Sequence, residues 1–168
     1  MREDGPKREI TGTVVKVLVH RRDDRGMSLE PFASRCVRAG EVHELVTTSH
    51  DDTEPGARID HVGFLGFAEI ARAGVIDRGD EVWIGGELVG TVLGFDGCHF
   101  PNHYNILIHT ERPVTGEGIG LKPEREVCFR GRWGVGAPRR GAPHPPAGAL
   151  PPPAPNTMRG GYIHNPAR

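Results

Sequence analysis

The sequence predicts a mainly β protein, a small closed or partly open antiparallel barrel with one short helix and a disordered C-terminal tail. Three observations lead there. Short β-branched runs recur at close spacing with turn residues between them, which is the pattern of small barrels and sandwiches. A Gly-Gly pair separates two such runs as a hairpin turn would, because both central positions tolerate positive φ. After residue 130 the composition changes abruptly: nine Pro, seven Gly and five Arg fall within 38 residues that contain no Asp or Glu.

The elements follow in chain order. Residues 1–9 are charged and polar and read as a flexible N-terminus; residues 10–130 form the barrel domain; residues 131–168 form the tail. Residues 10–19 (ITGTVVKVLV) alternate and are rich in Val, which predicts a strand. His20–Gly26 reads as a loop. Residues 34–39 and 41–48 give two more strands around Gly40, and DDTEPG at 51–56 is turn chemistry. The stretch AEIARA, with Gly74 to stop it, predicts the helix, at about residues 67–73. EVWI, Gly85-Gly86 and ELVGTVLGF make the hairpin, and 105–110 and 126–130 supply the last strands. The tail, with PPPAP at 151–155, has too little apolar surface to offset the entropy of ordering it.

Charge and composition narrow the function. The first 130 residues hold all 22 acidic residues but 16 of the 21 Lys and Arg, so the domain is acidic. Nucleic-acid-binding domains concentrate basic charge, so no nucleic-acid partner is expected. No apolar run approaches the ~20 residues needed to cross a bilayer, and the N-terminus carries no apolar signal segment; a cytoplasmic protein with no membrane partner is expected. Three cysteines, Cys36, Cys98 and Cys128, show no C-x-x-C spacing. They read as reduced thiols, two of them buried in strands. There is no phosphate-binding loop, no nucleophile elbow and no dinucleotide fingerprint.

The densest polar cluster is DGCHFPNHYN, residues 96–105, in a loop between two predicted strands, where functional residues concentrate. Cys98, His99 and His103 are the candidate metal ligands, because imidazoles beside a thiol suit zinc, iron or copper; a divalent transition metal is the cofactor these types would take. His99 and His103 are four apart, a spacing that shares a face on a helix, although Pro101 argues against a regular one. Asp96, Asn102, Tyr104 and Asn105 are candidate ligand-binding groups. The structural alternative is a loop whose polar side chains satisfy its own backbone. A second cluster, EVHE at 41–44, places His43 in an apolar strand beside carboxylates; His43, Glu44 and His103 are the candidate catalytic residues.

Residues 75–94, VIDRGDEVWIGGELVGTVLG, resemble part of the glucitol/sorbitol-specific IIA component of the sugar phosphotransferase system, and the likeness extends to about residue 110. That family similarly carries Gly-Asp, a strand, Gly-Gly, a second strand and an Asn/His-bearing segment. The resemblance implies a small β-barrel that accepts phosphate on a histidine, with His43 at the matching position. Three functions therefore stand as expectations. The first is a small-molecule-binding barrel with a site in the 96–105 loop, whose extended form is a metal-assisted enzyme. The second is a histidine phosphocarrier using His43, and the third is a non-catalytic binding or scaffold barrel. A homodimer that covers exposed edge strands is the assembly such a fold would favour.

Overall fold

The computed structural model describes residues 5–131; the expected tail beyond Gly131, and the first four residues of the N-terminal stretch, lie outside them. Twelve strands and one 3-10 turn make up the described chain. They are β1 (Ile10–Val17), β2 (Arg21–Arg22), β3 (Met27–Ser28), β4 (Ser34–Val37), β5 (Val42–Thr48), β6 (Arg58–Ile59), β7 (Val62–Arg72), β8 (Gly74–Asp77), β9 (Glu81–Ile84), β10 (Glu87–Asp96), β11 (Asn105–His109) and β12 (Glu126–Arg130). The 3-10 turn covers Glu117–Ile119.

The principal sheet runs β1-β12-β9-β10-β11-β5-β7, with β2 beyond β7. Because β1 pairs with β7 as well as with β12, the hydrogen-bonded pairings return to their starting strand. The seven strands of that cycle each have a neighbour on both sides, so the edge-covering reason for a homodimer does not arise among them. Two small pairs, β3–β6 and β4–β8, lie outside the cycle. All pairings are antiparallel except β5–β11, which is parallel and corrects the all-antiparallel expectation.

The expected helix at 67–73 is a strand. Ala68 and Ile70 are buried while Glu69 and Ala71 are exposed, a period of two, and the segment belongs to the eleven-residue β7. Ala, Glu and Arg favour helix intrinsically, but here the backbone is claimed by β1 on one side and β5 on the other. Two ladders outweigh the few tenths of a kcal/mol per residue that propensity supplies.

The Gly85-Gly86 hairpin is present, with φ of 60° and 85° as its tight turn requires. Cys128 is buried, whereas Cys36 and Cys98 are exposed; one thiol is therefore buried rather than two. In the N-terminal stretch expected to be flexible, Lys7 bonds Asp77 and Asp80, and Glu9 bonds Arg130. Among the described residues no helix is long and apolar enough to cross a membrane.

Successive side chains on β5, β7 and β11 enter different cores. Leu45, Leu65, Ile106 and Ile108 join a cluster with Phe95, Phe129 and Ile10 on one face. Val46, Phe64 and Leu107 join a second cluster on the other, with Met27, Leu29 and Ile59 from the covering pair β3–β6. Burial on both faces is why these strands read as nearly continuous apolar runs. It also leaves few places for a polar side chain, which makes the polar row described next conspicuous.

Candidate functional site

Register sets three polar residues side by side. Across β5–β11, Glu44 faces Asn105; across β11–β10, Asn105 faces Asp96; across β5–β7, Glu44 faces Phe67. Directly paired residues project to the same face, so Phe67, Glu44, Asn105 and Asp96 form one row over four strands. The row lies on the face that carries Val46 and Leu107 two residues further along each strand, at the end of the second apolar cluster.

The loop 97–104 folds over this row. Backbone bonds run from Phe100 N to Gly97 O (2.9 Å), Asn102 N to His99 O (2.9 Å) and His103 N to His99 O (3.3 Å). The last is a single i to i+4 turn, which brings His99 and His103 together without a helix. Their rings stack with centroids 4.9 Å apart. His103 Nε2 lies 3.5 Å from the Glu44 carboxylate, and its ring packs edge-on to Phe67 at 5.2 Å. One ligand atom each from Glu44, His99 and His103 falls within 4.8 Å of the others, so two imidazoles and a carboxylate converge. Glu44 is buried, His103 half-buried and His99 exposed, which leaves one side of the trio open.

Three buried side-chain polar atoms lack a hydrogen-bond partner among the described residues: Arg35 Nε, His103 Nε2 and Asn105 Oδ1. The Arg35 guanidinium sits 3.6 Å from the Tyr104 ring centroid, whereas Asn105 lies in the Glu44 row and His103 beside Glu44. Orphaned buried polar atoms are rare and costly.

The other sequence-predicted residues divide between roles. Asp96, 2% exposed, spends its carboxylate internally: it accepts from Ser28 N at 3.0 Å, Asn105 Nδ2 at 2.7 Å and Cys98 N at 3.4 Å. It holds the loop to β3 and β11. Cys98 is not part of the trio; its sulfur accepts from Asn105 Nδ2 at 3.4 Å and from Arg25 at 3.6 Å. Partial desolvation of the thiol, with Asp96 beside it, pushes the Cys98 pKa up. Asn102 is exposed on the turn. Tyr104 is half-buried against the core, with Phe100 and Phe32 nearby.

His43 points away from the trio. It is 3% exposed on the opposite face of β5, and both ring nitrogens are taken. Nδ1 accepts from Tyr104 N at 3.2 Å, so Nε2 carries the proton and donates to Glu41 at 2.8 Å. The expected catalytic group of His43, Glu44 and His103 is thus split: Glu44 and His103 meet, and His43 lies behind the sheet. Sequence reasoning missed Arg25, whose guanidinium donates to His99 Nε2 at 3.0 Å from 74 residues away. It also missed Phe67, masked by the helix reading. Glu44 and His103 were expected together as catalytic candidates; that Glu44 also meets His99 follows only from the side-by-side placement of β5 and β11.

A cavity of about 680 Å³ opens at the other end of β10 and β11, lined by residues that include Leu88, Thr91, His109, Arg112 and Arg125. Among the described residues it contributes nothing to a metal-ligating group, and the trio of Glu44, His99 and His103 is at the far end of those strands.

The match to known families covers residues 4–130, the span from the N-terminal contacts to the end of β12. The chain belongs to a family of unknown function, DUF6917. No curated protein matches the chain. No solved structure matches it either.

Proposed function

We propose that this protein holds a divalent transition ion through Glu44, His99 and His103 and uses the ion's open side to bind a small-molecule ligand. The observation that carries the reading is the convergence of these three groups within 4.8 Å around a buried imidazole nitrogen with no other partner. Two imidazoles and one carboxylate are a set that binds zinc, and related sets bind iron; with three protein ligands a position remains for water or substrate. A metal held by the two neutral rings and the Glu44 carboxylate would engage all three groups at once.

In this reading the cycle of pairings is a small barrel, with the site outside its wall at one end, where the second apolar cluster stops. Phe67 shields one side of His103, and Asp96 and Asn105 fix the loop. A metal there would lower the pKa of a bound water to about 7 or polarise a ligand oxygen, which makes metal-assisted chemistry on a small molecule the activity to look for.

Elemental analysis of the purified, untagged protein tests the reading. Near-stoichiometric metal is expected in the wild type, or after loading with zinc, and its loss in a His99→Ala/His103→Ala variant that keeps the wild-type circular dichroism. Glu44→Gln should weaken zinc binding by more than the 10–100-fold typical of outer-shell partners, roughly 100-fold or beyond. Failure of the wild type to take up zinc, cobalt, iron or copper would overturn the proposal.

A further inference from the structure

We infer that the ligand of this site is a small organic carboxylate, held jointly by the metal and by Arg25; the inference rests on the metal reading above. Arg25 lies between β2 and β3, where its backbone N–H donates to Asp60 O at 3.2 Å. Its guanidinium lies 3.0 Å from His99 Nε2 and 3.6 Å from Cys98 Sγ, two neutral acceptors. Among the described residues it forms no ion pair. The carboxylate of Asp60, the residue whose backbone O accepts from the Arg25 N–H, is already engaged by Arg58 Nε at 2.8 Å and by Gly26 N at 2.9 Å, and Asp96 is engaged by Ser28 N and Asn105 Nδ2.

A guanidinium is charged at every relevant pH, and its planar fork is matched by a carboxylate rather than by an imidazole or a thiol. Arg25 therefore rests on poor substitutes. The charge balance points the same way. A divalent ion at Glu44, His99 and His103 would have the Glu44 carboxylate as its only acidic ligand, with Asp96 across Asn105 and the Arg25 cation close by, a net positive balance. An anion that touches both the metal and Arg25 removes this excess and turns a repulsion into two charge-assisted contacts.

The organic part of the ligand follows from the rim. Phe100, 62% exposed, is the most exposed large apolar side chain among the described residues and lies on the turn between His99 and Asn102. Its ring packs on Tyr104 at 5.4 Å and leaves its outer side open, a surface on which an apolar or aromatic body can stack. Inorganic phosphate would satisfy Arg25 but leave Phe100 uncovered, so an aromatic carboxylate is the better-fitting class.

Cobalt(II) loading provides the test, because its visible absorption reports both the protein ligands and any added one. Loading should produce a cobalt band; if no band forms, the metal reading falls and this inference falls with it. With the band present, benzoate should shift it saturably, its neutral analogue benzamide should leave it unchanged, and phosphate should act more weakly than benzoate. Arg25→Gln should keep the cobalt band and weaken benzoate binding about 10- to 100-fold, the loss of one charge-assisted contact; Arg25→Lys should restore part of it. A cobalt band that benzoate does not move, equal benzoate affinity in Arg25→Gln, or tighter binding of phosphate than of benzoate would each overturn the assignment.

Discussion

Glu44 and His43 are adjacent in the sequence, yet their side chains serve opposite faces of β5. Alternation along a strand decides this: Glu44 joins the row with Asn105 and Asp96, while His43 turns toward Tyr104 and Glu41. His43 is thereby a tautomer-locked structural histidine, and Glu41 is its orienting partner. Burial raises the Glu41 pKa, but the hydrogen bond from His43, the Arg38 backbone and the nearby Arg35 guanidinium oppose it, and the net shift is downward. A depressed carboxylate pKa means that the native state prefers the ionised form. The stability this lends is present above the ordinary value of 4.5 and is lost as pH falls through the lower native value. Glu41→Gln should therefore be less stable than wild type at pH 7, with the gap in urea midpoint narrowing below pH 4.5. A gap that stays constant with pH would mean the pair contributes through packing alone.

At the scale of elements, β7 is where local preference and tertiary demand part company. Its C-terminal half has the composition of a helix and the burial of a strand. Gly66 explains how one strand can serve two partners. Its φ is +151°, and a Cβ there would stand 2.0 Å from Lys16 O. Register shifts lie beside it in both ladders, between Val14 and Lys16 on β1 and between Leu45 and Val46 on β5. Gly66 is the bend that lets β7 pass between β1 and β5. Gly66→Ala should cost about 2–5 kcal/mol, combining backbone strain with overpacking, as read from urea denaturation. A loss below about 0.5 kcal/mol, the level of an ordinary surface change, would show that the bend does not need glycine.

The same scale shows what the sequence could and could not disclose. The strands β1, β5, β9, β10, β11 and β12 were legible because each carries alternation or β-branched runs bounded by turn residues. The 96–105 loop was legible because polar groups crowd into ten residues. The helix reading failed because AEIARA has no strand propensity of its own; its pairing comes from two strands distant in sequence. The metal trio was half legible. His99 and His103 share a local turn, and Glu44 stood out in EVHE as a catalytic candidate, but its place as their third ligand depends on a parallel pairing of strands about sixty residues apart. Arg25 was beyond reach for the same reason.

At the scale of the whole molecule, the N-terminal stretch is fastened to the sheet. Lys7 bonds Val75 O, Asp77 and Asp80, and Asp80 also accepts from Asp77 N at 2.8 Å. Burial pushes the Asp80 pKa up, with the Asp77 backbone and Lys7 opposing it. A raised carboxylate pKa means that ionising Asp80 costs native stability as pH rises above its ordinary 3.8, and Lys7 limits that cost. Lys7→Ala should lower stability by about 1.5–3 kcal/mol at pH 7, the range for a hydrogen bond to a charged group, and by less at pH 3. Equal losses at both pH values would place the contribution in the Lys7 stem and not in its charge.

The return of the pairings to β1 also sets an order of events during synthesis. Ile10 pairs with Phe129, and β12 lies between β1 and β9. Its place in the ring stays vacant until the ribosome has made nearly the whole described chain. At about 5–20 residues per second, β1 waits roughly 6–25 s for that neighbour. During the wait both flanks of the gap present unpaired strand backbone, the surface on which nascent chains find one another, so the newborn protein depends most on chaperones just before its last strand arrives.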